Sequence, residues 1–142
     1  MFSIFKRWIE EYKEIKYLAY HDALTGLYNR HYLRQIKITD YRYVYFIDIN
    51  NLRTYNNNGH VTGDNHIIKC VKDISDNYVK RGDCLLRYAG DEFLLLAKYP
   101  KVMIESELYS MGEARITTDF NYSLMQADRE MIKNKERTKC CE

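Results

Sequence analysis

Three acidic side chains, Asp48, Asp91 and Glu92, have the type and the setting for phosphoryl-transfer chemistry. Asp48 lies near the end of one apolar run, and Asp91 and Glu92 lie in the turn between two others. If these runs are neighbouring strands, the carboxylates lie side by side across one sheet. Such groups can hold Mg²⁺, which prefers hard oxygen ligands and orients the phosphates of a nucleoside triphosphate. Solvated loop carboxylates give the same pattern, so these residues alone leave both interpretations open.

The strands that would position these carboxylates are predicted from residue type. Residues 43–49 (YVYFIDI) are β-branched and aromatic, which predicts a buried strand. Two further apolar runs, 84–88 (CLLRY) and 92–99 (EFLLLAKY), are joined by a turn in which Gly90 permits a tight reversal. They predict a hairpin whose tip carries the acidic pair.

The helices are predicted from apolar residues spaced three and four apart. One amphipathic helix is predicted over residues 3–20, and a second begins at Asp64, whose carboxylate would cap its first turn. A short helical segment (101–110), a strand (114–120) and a charged helix (123–139) are expected in the last third of the chain. This order predicts an α+β fold of ferredoxin-like or palm type, with an antiparallel-containing sheet and helices on one face.

Composition bounds the class of protein. The 142 residues, 46% hydrophobic and 30% charged, predict one water-soluble globular domain, and a formal net charge of +2 does not indicate a nucleic-acid polymer as partner. No apolar run approaches the roughly 20 residues that span a bilayer, and the first residues are too charged for a secretion signal. We therefore expect a cytoplasmic protein without membrane insertion. The scattered cysteines are expected to be reduced thiols: Cys70, Cys84, Cys140 and Cys141.

Three segments resemble, in this order, signature segments of the GGDEF family: HDALTGLYNRHYL (21–33), FIDINNLRTYNNNGHVTGD (46–64) and RYAGDEF (87–93). One such segment has little specificity, whereas three in sequence are specific. The resemblance runs from about His21 to the end of the chain and thins after Leu96. It divides the chain into an N-terminal amphipathic helix (1–20) and a GGDEF domain (21–142).

The resemblance implies the polymerase-like palm of nucleotide cyclases and diguanylate cyclase activity. In that family two domains meet face to face, each holding one GTP, and each 3′-oxygen attacks the α-phosphate of the other nucleotide. The product is cyclic di-GMP, and pyrophosphate is released. The implied cofactor is Mg²⁺, with Mn²⁺ as a substitute. The implied partners are GTP and a second copy of the chain, in a stable or a transient homodimer.

The resemblance also assigns roles to particular residues. Asp48 and the Ile49 carbonyl correspond to metal ligands, and Asp91 corresponds to a metal ligand and to the group that deprotonates the attacking hydroxyl. Glu92 completes the acidic cluster. Arg53 stands where the family has a lysine that stabilises transition-state charge, which a guanidinium can also supply.

Six further residues correspond to substrate-binding positions. A carboxylate and a carboxamide can together read the edge of guanine, and lysines can contact a triphosphate. A lysine-rich helix end is also favoured by the helix dipole, so that interpretation of the lysines stays open. The six are Asn56 and Asp64 for guanine, Ala89 and Gly90 in the signature turn, and Lys135 and Lys139 for the phosphates.

Four departures from the family pattern bear on activity. Ala89 replaces a glycine of the signature turn, where a positive φ would strain an alanine. The loop before His60 is one residue short, so Asn57 is an alternative to Asn56 as the guanine contact. The stretch between the hairpin and the last helix is short, so a helix and a strand or hairpin are expected to be missing and the sheet edge to be bare.

The fourth departure lies in the product-inhibition motif RxxD, which reads Lys80-Arg81-Gly82-Asp83. Lysine lacks the forked hydrogen bonds of arginine, so we expect weak or absent feedback by cyclic di-GMP. His60 and His66 are interpreted as hydrogen-bonded residues rather than as metal ligands.

Three functions are compatible with these residues. The first is an active, homodimeric diguanylate cyclase. The second is a catalytically degenerate GGDEF domain that binds GTP or a cyclic dinucleotide as a regulatory module. The third is another palm-type nucleotidyl transferase. The N-terminal helix either packs on its own domain or forms a dimerising stalk.

Overall fold

The computed structural model describes residues 1–140 and has the α+β architecture expected from the sequence. Two short 3₁₀ helices, Arg30–Arg34 and Ile38–Asp40, precede the central strand. The elements are α1 (Phe2–Tyr20), β1 (Tyr28–Asn29), β2 (Tyr43–Ile49), α2 (Leu52–Asn57), α3 (His60–Tyr78), β3 (Cys84–Arg87), β4 (Glu92–Ala97), β5 (Tyr109–Arg115) and α4 (Phe120–Cys140).

The sheet is mixed and has the strand order β1-β3-β4-β2-β5. The strand β2 pairs antiparallel with both β4 and β5, and β3 pairs antiparallel with β4, as the predicted hairpin requires. The two-residue strand β1 lies parallel to β3. The predicted strand 43–49 and the predicted hairpin are therefore confirmed.

Helices cover both faces of the sheet, so the expectation of helices on one face was wrong. Tyr45 and Ile47 of β2 pack towards Ile67 of α3, whereas Val44 and Phe46 pack in a second cluster with residues of α4. The central strand is apolar on both sides, and such a strand needs cover on both faces. Close approach of α4 depends on β5: a Cβ at Gly112 would lie 2.1 Å from the Ala127 carbonyl oxygen and 2.1 Å from the Met131 nitrogen.

The region that follows β2 contains two helices where one was expected. The short helix α2 ends at Asn57, and α3 begins at His60 rather than at Asp64. Gly59 separates them with φ +112°, a conformation that side chains other than glycine rarely adopt. Asp64 consequently lies inside α3 and does not cap it, which corrects the predicted helix start.

The segment 98–108, here called the crossover segment, contains no helix, so the helix predicted at 101–110 was wrong. It joins β4 to β5, which run parallel on either side of β2, a connection that usually contains a helix. Buried tyrosines hold its backbone instead. The Tyr45 hydroxyl accepts from the Lys101 N–H at 2.7 Å, and the Tyr78 hydroxyl accepts from the Ile104 N–H at 2.9 Å.

The strand β5 is present but lies upstream of the predicted strand 114–120, which it meets at only two residues. Of the elements expected to be missing, the helix is absent from the crossover segment, and β5 is the single strand between β4 and α4 in the described residues. The strand β5 forms one end of the strand order, as the expected bare edge implies, although the Asn134 side-chain amide donates to its Met111 carbonyl at 2.8 Å. The last helix begins at Phe120, three residues before its expected start.

The helix α1 begins one residue before the predicted 3–20, and none of its residues is buried, so of the two alternatives for its apolar face, packing on its own domain was wrong. It contacts the domain near Tyr20, whose ring lies edge-on to Tyr32 with centroids 5.9 Å apart. Within residues 1–140, no helix is both long and apolar enough to span a bilayer.

The cysteines at positions 70, 84 and 140 are free thiols, whereas the expectation for Cys141 falls outside the described residues. Burial raises the pKa of the Cys70 thiol to about 11 and that of the Cys84 thiol to about 11. Neither thiol therefore has the thiolate character of a reactive cysteine.

Candidate functional site

The predicted acidic residues meet where β2 ends and β4 begins. Asp48 and Glu92 are direct partners in the β2–β4 ladder and lie on the face of the sheet that α4 covers. The Ile49 N–H donates to the Asp91 carbonyl at 2.9 Å. In an antiparallel ladder the N–H and C=O of one residue point to the same side, so the Ile49 carbonyl also faces Asp91. The structure thus places the residues for which metal binding was predicted at adjoining strand ends.

Asp48 and Glu92 are both partly buried, and both lie near other acidic side chains. Burial raises the pKa of Asp48 against the opposing effect of Lys135, and the neighbouring Asp91 and Asp128 raise it further. Burial likewise raises the pKa of Glu92, and Asp91 and Asp48 add to the increase. Like charges directly opposite each other destabilise a sheet, so this cluster favours a cation.

A cation of the chain itself already contacts this cluster. Lys135 on α4 forms an ion pair with Asp48, whose side chain is 14% exposed. The sequence prediction placed Lys135 beside the phosphates and did not foresee this contact. Since an ammonium carries no acceptor, it can pair with a carboxylate or a phosphate oxygen but not with a metal ion.

Two charged residues near this cluster were not predicted. Asp128 lies seven residues before Lys135 on α4, two helical turns away on the same face, and its charge acts on both Asp48 and Glu92. Burial and the neighbouring carboxylates raise the pKa of Glu92, whereas the charge of Arg30 lowers it. The Arg30 guanidinium lies 4.4 Å from the centroid of the Tyr88 ring. The seven-residue spacing within α4 was the available signal for Asp128.

A cleft of ≈ 410 Å³ opens between the end of β2, the start of β5 and the last turns of α4. Both lysines predicted to contact phosphates lie in its wall. Two lysines and several neutral hydrogen-bonding groups suit an anion, and they outnumber the one carboxylate of the lining, Glu107. The lining residues are Asn50, Asn51, Glu107, Ser110, Lys135, Thr138 and Lys139.

The residues predicted to read guanine lie where α2 packs on α3. A Cβ at Gly63 would lie 1.8 Å from Asn56 Oδ1, so the glycine lets the Asn56 carboxamide rest against α3 beside Asp64. Both Asn56 and Asp64 are exposed. The loop before His60 is one residue short, yet Asn56 is the residue whose side chain lies against α3 beside Asp64. Arg53 is exposed on α2 and makes no ion pair among residues 1–140.

The signature turn accepts Ala89 without backbone strain. Within the described chain Asn51 is the single residue other than glycine with a positive φ, so Ala89 does not need the left-handed conformation. The turn is closed by the Tyr88 and Ala89 N–H groups, which donate to the Glu92 carbonyl at 2.8 and 3.1 Å. Arg87 donates to the Gly90 carbonyl at 2.7 Å and to Asp22 at 3.0 Å. Arg87 therefore ties the turn to the first signature segment.

The donor chemistry of the cluster fits a hard divalent cation, because it consists of carboxylates and a backbone carbonyl. The arrangement is not closed around one point: over residues 1–140, no group of three or more His, Cys, Asp or Glu side chains converges closely enough to hold a metal ion. The ion pair between Lys135 and Asp48 is the contact that a metal ion would have to replace.

Comparison with known proteins decides the family. The sequence model described as "Diguanylate cyclase, GGDEF domain" matches residues 19–119. The chain belongs to the GGDEF domain family. This confirms the resemblance of the three signature segments.

Two relatives of this GGDEF domain differ in what is known of them. The uncharacterized protein y4lL of Sinorhizobium fredii is 31% identical over 84% of the chain, which covers 14% of that protein. Diguanylate cyclase DgcS of Shewanella oneidensis is 34% identical over 62% of the chain and is covered over 33% of its length. The chain thus spans a third or less of these relatives.

A solved structure confirms the fold. The coiled coil and GGDEF domain of DgcB from Caulobacter crescentus, in complex with c-di-GMP, superposes with a TM-score of 0.80. The match covers 94% of this chain and 90% of that one at 17% sequence identity. The GGDEF fold with a preceding helix is therefore shared with DgcB.

In this GGDEF domain the aspartate of the expected feedback motif is engaged within the chain. Asp83 is 3% exposed and forms an ion pair with Lys101 of the crossover segment. Its other contact is the Lys80 N–H, which donates to it at 2.9 Å. Asp83 thus fixes the crossover segment and the turn before β3.

Proposed function

We propose that this GGDEF domain is a diguanylate cyclase that condenses two GTP molecules into cyclic di-GMP and releases pyrophosphate. One observation carries the proposal: Asp48, at the joined ends of β2 and β4, pairs with Lys135, which lines a cleft together with Lys139. The family match and the relative DgcS support it. GTP is a cytoplasmic nucleotide, so the cytoplasm is the proposed compartment.

The acidic residues would hold the metal and accept the proton. Asp48, Asp91 and the Ile49 carbonyl are proposed as ligands of Mg²⁺ or Mn²⁺, which when bound neutralises phosphate charge and orients the reacting oxygens. Asp91 would accept the proton of the attacking 3′-hydroxyl. Glu92 keeps the site anionic beside Asp48.

The remaining residues would bind the nucleotide. The Asn56 carboxamide and the Asp64 carboxylate offer the donor and acceptor groups that guanine requires and that adenine does not match. Lys135 and Lys139 line the cleft in which a triphosphate would lie, and Arg53 would stabilise transition-state charge. The signature turn, Ala89 and Gly90, would approach the nucleotide through its backbone.

Lys135 has a second task under this proposal. Without nucleotide it neutralises Asp48, and phosphate oxygens would draw its ammonium away and leave Asp48 to the metal. Substrate and metal would therefore bind together rather than separately.

The same ion pair favours a second candidate, a degenerate GGDEF domain that binds nucleotide as a regulatory module. If Lys135 stays on Asp48 with nucleotide bound, the metal has no access to this carboxylate and no turnover follows. This alternative predicts binding of GTP or a cyclic dinucleotide without product.

We propose a homodimer joined through α1, with residues 21–142 as the catalytic domain. Phe5, Trp8, Tyr12 and Ile15 recur every three and four residues, the spacing of a coiled-coil seam, and Trp8 is 70% exposed. In a parallel pair Glu11 and Lys16 would flank the seam and attract each other between copies. None of the side chains of this 19-residue helix is buried, and most helical stability in proteins comes from packing of the apolar face, so a partner helix would stabilise it. The DgcB structure likewise contains a coiled coil.

The test is incubation of the full chain with Mg²⁺ and each of the four nucleoside triphosphates separately, followed by mass analysis. The proposal predicts cyclic di-GMP from GTP and no product from the others. GTP binding in calorimetry without product would instead support the regulatory module. Products from other nucleotides would support a different nucleotidyl transferase.

A further inference from the structure

Asn50, the residue that follows β2, is held by four hydrogen bonds. Its N–H donates to the Leu108 carbonyl at 2.9 Å, and its carbonyl accepts from His66 Nε2 at 3.1 Å. Its side-chain amide donates to the Glu107 carbonyl at 3.2 Å, and its side-chain oxygen accepts from the Ser110 hydroxyl at 3.0 Å. Asn50 thereby joins β2 to α3, to the crossover segment and to β5.

His66 contributes the bond from α3 and has a second contact through its ring. A carbonyl oxygen only accepts, so Nε2 carries the hydrogen in this contact. The ring is buried, at 6% exposure, and stacks on Tyr55 of α2 with centroids 3.7 Å apart and planes 9° from parallel. One side chain therefore links the end of β2 to the helix that carries Arg53 and Asn56.

We propose that His66 is a positioning residue for the carboxylate site. Its Nε2–H fixes the Asn50 carbonyl, and through Asn50 it fixes the backbone that follows Asp48 and Ile49. The proposal rests on the proposed function, because the site that His66 positions is the one assigned to GTP and metal.

The contact between His66 and Asn50 matters because the crossover segment is short and contains no helix of its own. Asn50 binds the last residues of the crossover segment, Glu107 and Leu108, and also lines the cleft that contains Lys135. Without the His66 bond, Asn50 loses its hydrogen bond to α3, whereas the start of β5 keeps its own through the Tyr109 hydroxyl, which donates to Asp73 at 2.6 Å. A shift of about 1 Å in reacting groups can cost roughly 100-fold in rate, so a small movement here reaches the chemistry.

Two substitutions separate the hydrogen bond from the ring. His66→Gln retains a donor near the Nε2 position and lacks the ring, whereas His66→Phe retains a ring to stack on Tyr55 and lacks the donor. Ser110→Ala removes a different bond to Asn50. The full chain of each variant is compared with the wild type by amide hydrogen exchange at Asn50 and by kcat and KM for cyclic di-GMP formation.

We expect the two histidine variants to differ both in the exchange rate of the Asn50 amide and in kcat. In His66→Phe the Asn50 amide exchanges faster and kcat falls roughly 3- to 10-fold with little change in KM, since one neutral hydrogen bond contributes about 0.5–1.5 kcal/mol. His66→Gln recovers both values to within about 2-fold of the wild type, a residual loss of under about 0.5 kcal/mol. Ser110→Ala also speeds exchange at Asn50. Equal exchange and equal kcat in the Gln and Phe variants would overturn the proposal.

The two readouts also separate this proposal from the proposed function. If the wild type makes no cyclic di-GMP and binds no GTP, the proposed function fails, and hydrogen exchange alone decides whether His66 holds Asn50. Slow exchange in His66→Gln with fast exchange in His66→Phe supports the positioning contact, and the same rate in both refutes it. If exchange splits while kcat stays equal, the contact is structural and the positioning role is wrong.

Discussion

The ammonium of Lys135 and the carboxylate of Asp48 form an ion pair between α4 and the end of β2. This contact joins a residue predicted to bind phosphate to one predicted to bind metal. It also explains how a partly buried carboxylate is tolerated opposite Glu92. Substrate binding must therefore compete with an internal contact.

Replacing Lys135 by Met should weaken GTP binding in the presence of Mg²⁺ by about 10- to 100-fold, because a hydrogen bond to a charged group contributes about 1.5–3 kcal/mol. Calorimetry on the full chain measures it. Lys133→Met is the matched control, since Lys133 lies on the same helix, is 60% exposed and pairs with Glu130. Equal affinities of the two variants would contradict the assigned role.

Replacing Glu92 by Gln, which removes its charge, should stabilise the protein at neutral pH and weaken the candidate site. Burial and the neighbouring Asp91 and Asp48 raise the pKa of Glu92 above the usual 4.5. The folded state then binds the proton more tightly than the unfolded state, so its stabilising contribution is complete below about pH 4.5 and is lost as pH rises through the folded-state pKa.

Thermal unfolding at several pH values checks this linkage. Glu92→Gln should have a higher melting temperature than the wild type at pH 7 and a weaker fall in stability between acidic and neutral pH. Glu130→Gln is the control with the opposite sign, because the Lys133 side chain holds the pKa of Glu130 below its usual value. A Glu92→Gln variant that loses stability relative to the wild type as pH rises across this window would show that the raised pKa of Glu92 is wrong.

Asp83→Asn should destabilise the fold by about 3–5 kcal/mol, because it leaves the Lys101 ammonium buried without its partner. Chemical denaturation measures the loss, and the double variant Asp83→Asn with Lys101→Met should recover part of it.

Wild-type turnover should be insensitive to added cyclic di-GMP, since Asp83 is already engaged in its ion pair with Lys101. Product inhibition that is lost on replacing Lys80 would refute this interpretation.

Trp8→Glu should shift the chain towards monomer, because it places a charge in the proposed α1 seam. Sedimentation over a range of concentrations measures the change. Glu10→Lys, on the opposite side of α1, is the control and should dimerise like the wild type. A monomeric wild type at all concentrations would exclude a stable α1 dimer.

Much of the fold could be predicted because local patterns carry it. The apolar run of β2 and the hairpin of β3 and β4 are visible in adjacent residues. The prediction misplaced β5 because Gly112 interrupts the apolar pattern of this strand. The packing of α4, and not the strand itself, requires this glycine, since a Cβ at position 112 would lie 2.1 Å from backbone atoms of α4. The helix predicted at 101–110 is absent because the hydroxyls of Tyr45 and Tyr78, distant in sequence, bind that backbone.

Some residues of the candidate site could likewise be predicted from local sequence, and others could not. Asp48, Asp91 and Glu92 could be predicted because each lies in a recognisable segment. Asp128 and the contact between His66 and Asn50 could not, because they depend on which faces of α3 and α4 meet the end of β2. The assigned roles of the individual residues remain predictions.

The most direct test of the central claim is formation of cyclic di-GMP from GTP and Mg²⁺ by the wild type and by Asp91→Asn. Asp76→Asn, an exposed position on α3, is the control. We predict product from the wild type and the control, and a loss of at least roughly 100-fold in Asp91→Asn with an unchanged fold by circular dichroism. A wild type without product, or an Asp91→Asn variant as active as the control, would contradict the account.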